Sequence, residues 1–125
     1  MTKTLIVLFS DPTHGGDEAL GRLFNALFLT LELKEKGQHV ELLFQGAGTR
    51  WPAELFKPAH PAHALFQAVA DKVGGICGGC ADVFGATQGA ATTGIAMIRE
   101  KAIPGTSGIA DLSRYLDEGF RLVTF

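Results

Sequence analysis

Basic charge is not in excess in this chain of 125 residues. Eleven lysines and arginines face 13 aspartates and glutamates, for a formal net charge of −2. With no basic face and no basic–aromatic cluster, nucleic acid is excluded as a partner. Long hydrophobic runs are missing too. The N-terminal run, Leu5–Phe9, is five residues long. It is too short to span a bilayer, and no small-residue cleavage site follows it, so it does not read as a signal peptide. The expectation is a cytoplasmic protein that meets no membrane. No repeat, linker or low-complexity tract divides the sequence, and a single domain over residues 1–125 is expected. A Gly-x-Ser-x-Gly elbow is absent. Gly105-Thr106-Ser107-Gly108 only approximates its shape, which sets aside a Ser–His–Asp hydrolase. Gly46-Ala47-Gly48 lacks the third glycine of a dinucleotide fingerprint. Cysteine occurs only twice, at Cys77 and Cys80, and in a cytoplasmic setting a disulfide is more often transient than structural.

What is present supports a packed core: 46% of residues are hydrophobic against 19% charged. Leu5–Phe9 is apolar without alternation and reads as a strand buried on both faces. A turn cluster, Ser10 to Gly16, leads into a helix over 17–36 closed by Gly37. Leu20, Leu23, Phe24, Leu27, Phe28 and Leu31 form one stripe of that helix, while Ala26, Leu29 and Leu33 lie nearly opposite. A second apolar side implies a partner, hence oligomerisation. Further strands are predicted at 39–44, 73–76, 102–103 and 120–125. Helices are predicted at 53–56, 61–72, 109–118 and, in one or two pieces, 82–100. Strand, loop and helix alternating in this way predict a three-layer α/β/α domain of about five mostly parallel strands, flavodoxin-like or Rossmann-like.

Ligand sites of such sheets lie outside the carboxyl ends of the strands. The residues after each strand are therefore the candidates: Ser10, Asp11 and His14; Arg50 and Trp51; Cys77 and Cys80; Thr106 and Ser107. Cys77-Gly78-Gly79-Cys80 falls where a strand turns into a helix, a place that lowers a thiol pKa. Cys77 then reads as the attacking sulfur and Cys80 as its exchange partner, with Gly78 and Gly79 leaving room for a reactant. Two small half-buried residues filling a tight turn is the other reading. Arg50 and Trp51 read either as an arginine stacked on a core-edge tryptophan or as an anion clamp. Asp11 and Thr13 are N-cap candidates for the long helix, with His14 a possible proton donor beside an anion. Thr106 and Ser107 divide likewise, between capping the last helix and lining the site. A metal would need ligands beyond one C-x-x-C pair. His14 and the His60-Pro61-Ala62-His63 pair are the available imidazoles. A rigid proline-bounded loop already explains His60 and His63, and His39 reads as structural or solvated. No resident metal or cofactor is expected.

The Lys3–Leu8 strand, the glycine-rich strand ending in Cys77-x-x-Cys80 with Gly85 after it, and the carboxyl end around Leu112–Leu116 and Arg121–Phe125 together resemble the DsrE-like (DsrE/DsrF-like) family of small α/β proteins. The resemblance covers essentially the whole chain, with Gly46–Pro52 as a subgroup trait. It implies a sulfur-relay role in which Cys77 accepts sulfur as a persulfide and Cys80 is the second cysteine. It also implies a homo-oligomer, a trimer or hexamer, and a sulfur donor or acceptor protein as partner. Glycines between the cysteines depart from the family pattern. A non-catalytic binding module with an anion-binding cleft and structural cysteines is the competing expectation.

Overall fold

The computed structural model describes residues 2–125. Five strands form one sheet: β1 (Lys3–Leu8), β2 (His39–Phe44), β3 (Val73–Cys77), β4 (Met97–Ile98) and β5 (Phe120–Thr124). They run in the order β4-β3-β2-β1-β5, and every pairing is parallel. Thr4 through Leu8 are all buried, as an unalternating central strand requires. From β1 the chain winds outward to β4 and then returns to the other side of β1 as β5. Such a reversal creates a crevice at the carboxyl ends of the strands.

Helices cover the two faces unequally. One core contains Ile6, Leu8, Leu42, Phe44 and Ile76 from the sheet, and α1 (Gly16–Glu35), α2 (Trp51–Leu55), α3 (His63–Val69) and α5 (Thr87–Ala91) close over it. The opposite core is smaller. It holds Leu5, Val7, Leu43 and Cys77, capped by Ala110, Tyr115 of α6 (Leu112–Asp117) and Phe120. The remaining helix, α4 (Gly78–Val83), starts directly at the end of β3 and contributes Ala81 to the first core.

Several boundaries differ from expectation for local reasons. The fourth strand is Met97–Ile98, which pairs with Ile76 and Cys77. Ala102–Ile103 belongs instead to an exposed excursion closed by an antiparallel bridge between Lys101 and Ile109. The 82–100 stretch is not one long helix, because Gly85 (φ 68°) and Gly94 (φ 74°) end α4 and α5 in the left-handed region. The last helix starts later than expected. Asp111, not Thr106 or Ser107, is its N-cap, its carboxylate accepting the Arg114 N–H at 3.4 Å. Likewise α1 is preceded by Gly15 with no side-chain cap. Asp11 accepts the Thr13 N–H at 2.8 Å in a local turn instead.

The second apolar side of α1 is occupied within the chain. Ala26 and Leu33 are buried in the same core as Ala19, Leu23 and Leu27, and Leu29 packs against it. Lys34 of α1 ties the helix to the end of α3 through the Ala68 carbonyl at 2.8 Å and Asp71 at 2.7 Å. Phe28 is what remains exposed. The helix therefore presents far less free apolar surface than its sequence implies.

Candidate functional site

Cys77 ends β3 and is fully buried, and its side chain joins the smaller core beneath α6. Cys80, one turn into α4, packs against the same core and is half-buried. Both are free thiols. Burial pushes the Cys80 thiol up to about 11, and its hydrogen bond to Cys77 acts in the same direction, against a smaller opposing effect of the Gly46 backbone N–H. The helix start does not activate this sulfur. One N–H of that helix start, the N–H of Gly79, is taken by the Gly108 carbonyl at 2.8 Å.

The two intervening glycines serve packing rather than reactant access. A Cβ on Gly78 would lie 2.4 Å from Arg99 Cγ, and one on Gly79 would lie 2.8 Å from both the Gly108 carbonyl oxygen and Ile109 Cγ2. The chain following β4 thus folds directly over the start of α4. Arg99 stands beside Gly78 because it follows Ile98 as Gly78 follows Cys77 in register. Its Nε donates to Ser107 Oγ at 3.0 Å and its Nη2 to Asp82 Oδ1 at 3.2 Å. Ser107 also donates to Asp82 Oδ2. Ser107 accordingly belongs to a clamp that fixes the excursion, and Thr106 turns back to the Ile103 carbonyl at 2.8 Å. Both are exposed.

The remaining candidates lie on the opposite face. Arg50 is engaged by its own fold: Nη1 donates to Asp11 Oδ1 at 2.9 Å, Nε donates to the Phe84 carbonyl at 3.0 Å, and the guanidinium lies over the Phe84 ring at 5.6 Å. Burial pushes the Asp11 carboxyl up, but hydrogen bonds from the Thr13 N–H, His14 and Arg50 outweigh it and lower it to about 2. His14 itself is exposed, with Nδ1 2.9 Å from Asp11 Oδ2. Trp51 is buried and donates to the Ser10 carbonyl at 2.9 Å and to Ser10 Oγ at 3.1 Å. A cleft of about 600 Å³ opens here, lined by Thr13, Gly16, Arg50, Trp51, Glu54 and His60 among others. Neither cysteine lines it. The structure therefore gathers the candidates into two groups, one on each side of the sheet, rather than over a single sulfur.

The imidazoles do not converge on the thiols. His60 Nδ1 accepts the Ala62 N–H at 3.0 Å and packs edge-on to Trp51, and His63 Nδ1 lies 2.8 Å from the Leu55 carbonyl oxygen. Among the described residues, no three His, Cys, Asp or Glu side chains assemble as a ligand set. Among the described residues, no helix is long and apolar enough to cross a membrane.

Three residues of the thiol side escaped the sequence reading: Gln45, Asp82 and Arg99. Gln45 directly follows β2 and is buried, and its Oε1 has no hydrogen-bond partner. The strand-end rule that singled out Arg50 applied equally to Gln45. Arg99 was hidden because its strand has only two residues, though the Ile95–Ile98 apolar run ending in a charge carries the signal.

Comparison with known proteins agrees with this architecture. Residues 3–125 match the model of the DsrE/DsrF-like family. The chain is 28% identical over 110 residues to the uncharacterized protein MJ0733 of Methanocaldococcus jannaschii, a match covering 88% of this chain and 85% of that one. Among solved structures it resembles a conserved protein of unknown function, BT1422, from Bacteroides thetaiotaomicron. The TM-score is 0.63 at 19% identity, over 98% of this chain and 95% of the other. That likeness speaks for the fold, and the family match over nearly the whole chain speaks for descent: the protein belongs to the DsrE/DsrF-like family.

Proposed function

We propose that this protein is a thiol-based sulfur carrier, with Cys80 as the receiving and exchange sulfur and Cys77 as the sulfur on which the cargo rests. The observation that carries this reading is the contact between two free thiols at the carboxyl edge, one enclosed and one half-buried. A donor persulfide reaches Cys80. The Cys80 thiolate attacks the outer sulfur, forms a new S–S bond and releases the donor thiolate. Cys77 then attacks that outer sulfur and Cys80 leaves as thiolate. No net oxidation occurs, and the sulfur ends where water and external thiols do not reach. Mass spectrometry after exposure to glutathione persulfide tests it. Wild type should hold one added sulfur through a chase with excess glutathione, Cys77→Ser should lose it, and Cys80→Ser should load many-fold more slowly.

The cleft beside Arg50 and Trp51 favours a second reading, a small-molecule-binding module whose cysteines only pack. Because Asp11 already answers the Arg50 charge, an anion there has weak purchase. Calorimetry with phosphate and sulfite on Cys77→Ala/Cys80→Ala protein separates the readings, since this one requires binding that survives loss of both thiols.

Assembly into a homo-oligomer and a cytoplasmic setting belong to the same proposal. Phe9, Val83 and Phe84, exposed after β1 and at the end of α4, are among the apolar side chains available for assembly. Light scattering that returns a monomer at micromolar concentration removes the oligomer from it.

A further inference from the structure

Gln45 Oε1 is the only buried side-chain polar atom without a hydrogen-bond partner among the described residues, and Gln45 is 7% exposed. Native folds keep few such atoms, because an unpaired buried acceptor is costly. Its position says what it faces. Gln45 continues β2 with extended backbone (φ −134°, ψ 155°), and its N–H donates to the Leu8 carbonyl at 3.0 Å. Phe44 pairs with Ile76, so the next residues along, Gln45 and Cys77, stand side by side. Phe44 and Ile76 point into the larger core, whereas Leu43 and Cys77 point into the smaller one. Alternation therefore turns Gln45 toward the Cys77 face. The N–H of the following residue, Gly46, acts on the Cys80 thiol, lowering it against the effect of burial. One side-chain amide and one backbone amide from the same strand end thus frame the cysteine pair.

We propose that Gln45 is the positioning residue for the carried sulfur, its Oε1 accepting the S–H of a protonated persulfide on Cys77. This rests on the carrier reading above. An enclosed site disfavours charge, so sulfur stored there is held uncharged, and an uncharged persulfide has one hydrogen to donate. Loading joins the sulfur to Cys77 as already described, and no bond forms or breaks at Gln45. The amide holds the outer sulfur in one orientation and withholds it from passing thiols until Cys80 takes it back.

The test uses the full chain as wild type, Gln45→Met, Gln45→Ala and Cys77→Ser, each loaded with glutathione persulfide and chased with glutathione. Added sulfur is followed by intact mass, and the melting temperature is read before and after loading. Both Gln45 variants should lose sulfur about fivefold faster than wild type, the equilibrium worth of one net hydrogen bond. Unloaded Gln45→Met should melt no lower than wild type, because it removes an unpaired acceptor, and loading should raise its melting temperature less. If Gln45→Met keeps sulfur as long as wild type while Cys77→Ser loses it, the Gln45 assignment is wrong and the carrier reading stands. A large fall in melting temperature in both unloaded variants makes Gln45 structural and overturns the assignment. If wild type never retains sulfur, the carrier reading fails and takes this one with it.

Discussion

Gly79 donates its backbone N–H to the Gly108 carbonyl at 2.8 Å, and a Cβ at position 79 would sit 2.8 Å from that oxygen. The contact locks the start of α4 to the chain after β4, and it has no flexible partner able to yield. Gly79→Ala should cost about 2 kcal/mol or more in urea unfolding, despite the gain in helix propensity. Gly78→Ala meets the Arg99 side chain, which can swing aside, and should cost about half as much. Equal costs would mean that the excursion itself moves easily.

Arg99→Ala should loosen that excursion without unfolding the core. The variant removes the bonds to Ser107 and Asp82, the latter an ion pair partly open to solvent. Such a solvent-screened pair adds little to global stability. Hydrogen exchange of the Gly79 amide, which is held by Gly108, should speed up several-fold, while exchange in β1 stays unchanged. Unaltered exchange at Gly79 would show that the backbone contact holds alone.

Loading should be slow at neutral pH and accelerate steeply in alkali. With the Cys80 thiol pushed up to about 11, the thiolate fraction rises about tenfold per pH unit between about pH 7 and 10. Alkylation rates of Cys80 should follow the same slope. A plateau near pH 8 would show a thiol activated by some other group. The same shift sets alkaline stability. A thiol raised in the folded state contributes stability that is intact below the unfolded value of 9.0 and lost as pH climbs through about 11. Cys80→Ser should flatten that limb.

Asp11 governs the acid limb. Its carboxyl, held at about 2 by Thr13, His14 and Arg50 against the opposing effect of burial, stabilises the fold above the unfolded value of 3.8. That stabilisation disappears as pH falls toward 2. Asp11→Asn should remove on the order of 1 kcal/mol at neutral pH and make stability less dependent on pH between about 4 and 2. If the acid limb is unchanged, the Arg50–Asp11 pair does not persist in solution.

Much of the fold was legible because buried parallel strands write their signature as short apolar runs: Leu5–Leu8, Leu42–Phe44 and the glycine-rich approach to Cys77. The parallel order follows from the helices between them. The two-residue strand Met97–Ile98 was not legible, since so short an edge strand has no period and is defined only by its neighbour β3. The site was legible as a row of strand ends but not as two faces. Successive strand residues point to opposite sides of the sheet, which turns Cys77 under α6, whereas Arg50 and Trp51 lie beyond β2, in the turn before α2 and at its start, and Trp51 packs in the other core. Neither spacing nor composition carries that parity. The surroundings of Cys80 were not legible for a related reason: burial raises its thiol, and the Gly79 N–H at the helix start is taken by Gly108, 29 positions further along the chain.

The carrier role is decided most directly by intact mass of the wild type and of Cys77→Ser after loading with glutathione persulfide and a chase with excess glutathione. The expected result is one added sulfur retained on wild type and none on Cys77→Ser. Equal retention by both proteins, or by neither, would contradict a sulfur carrier built on Cys77.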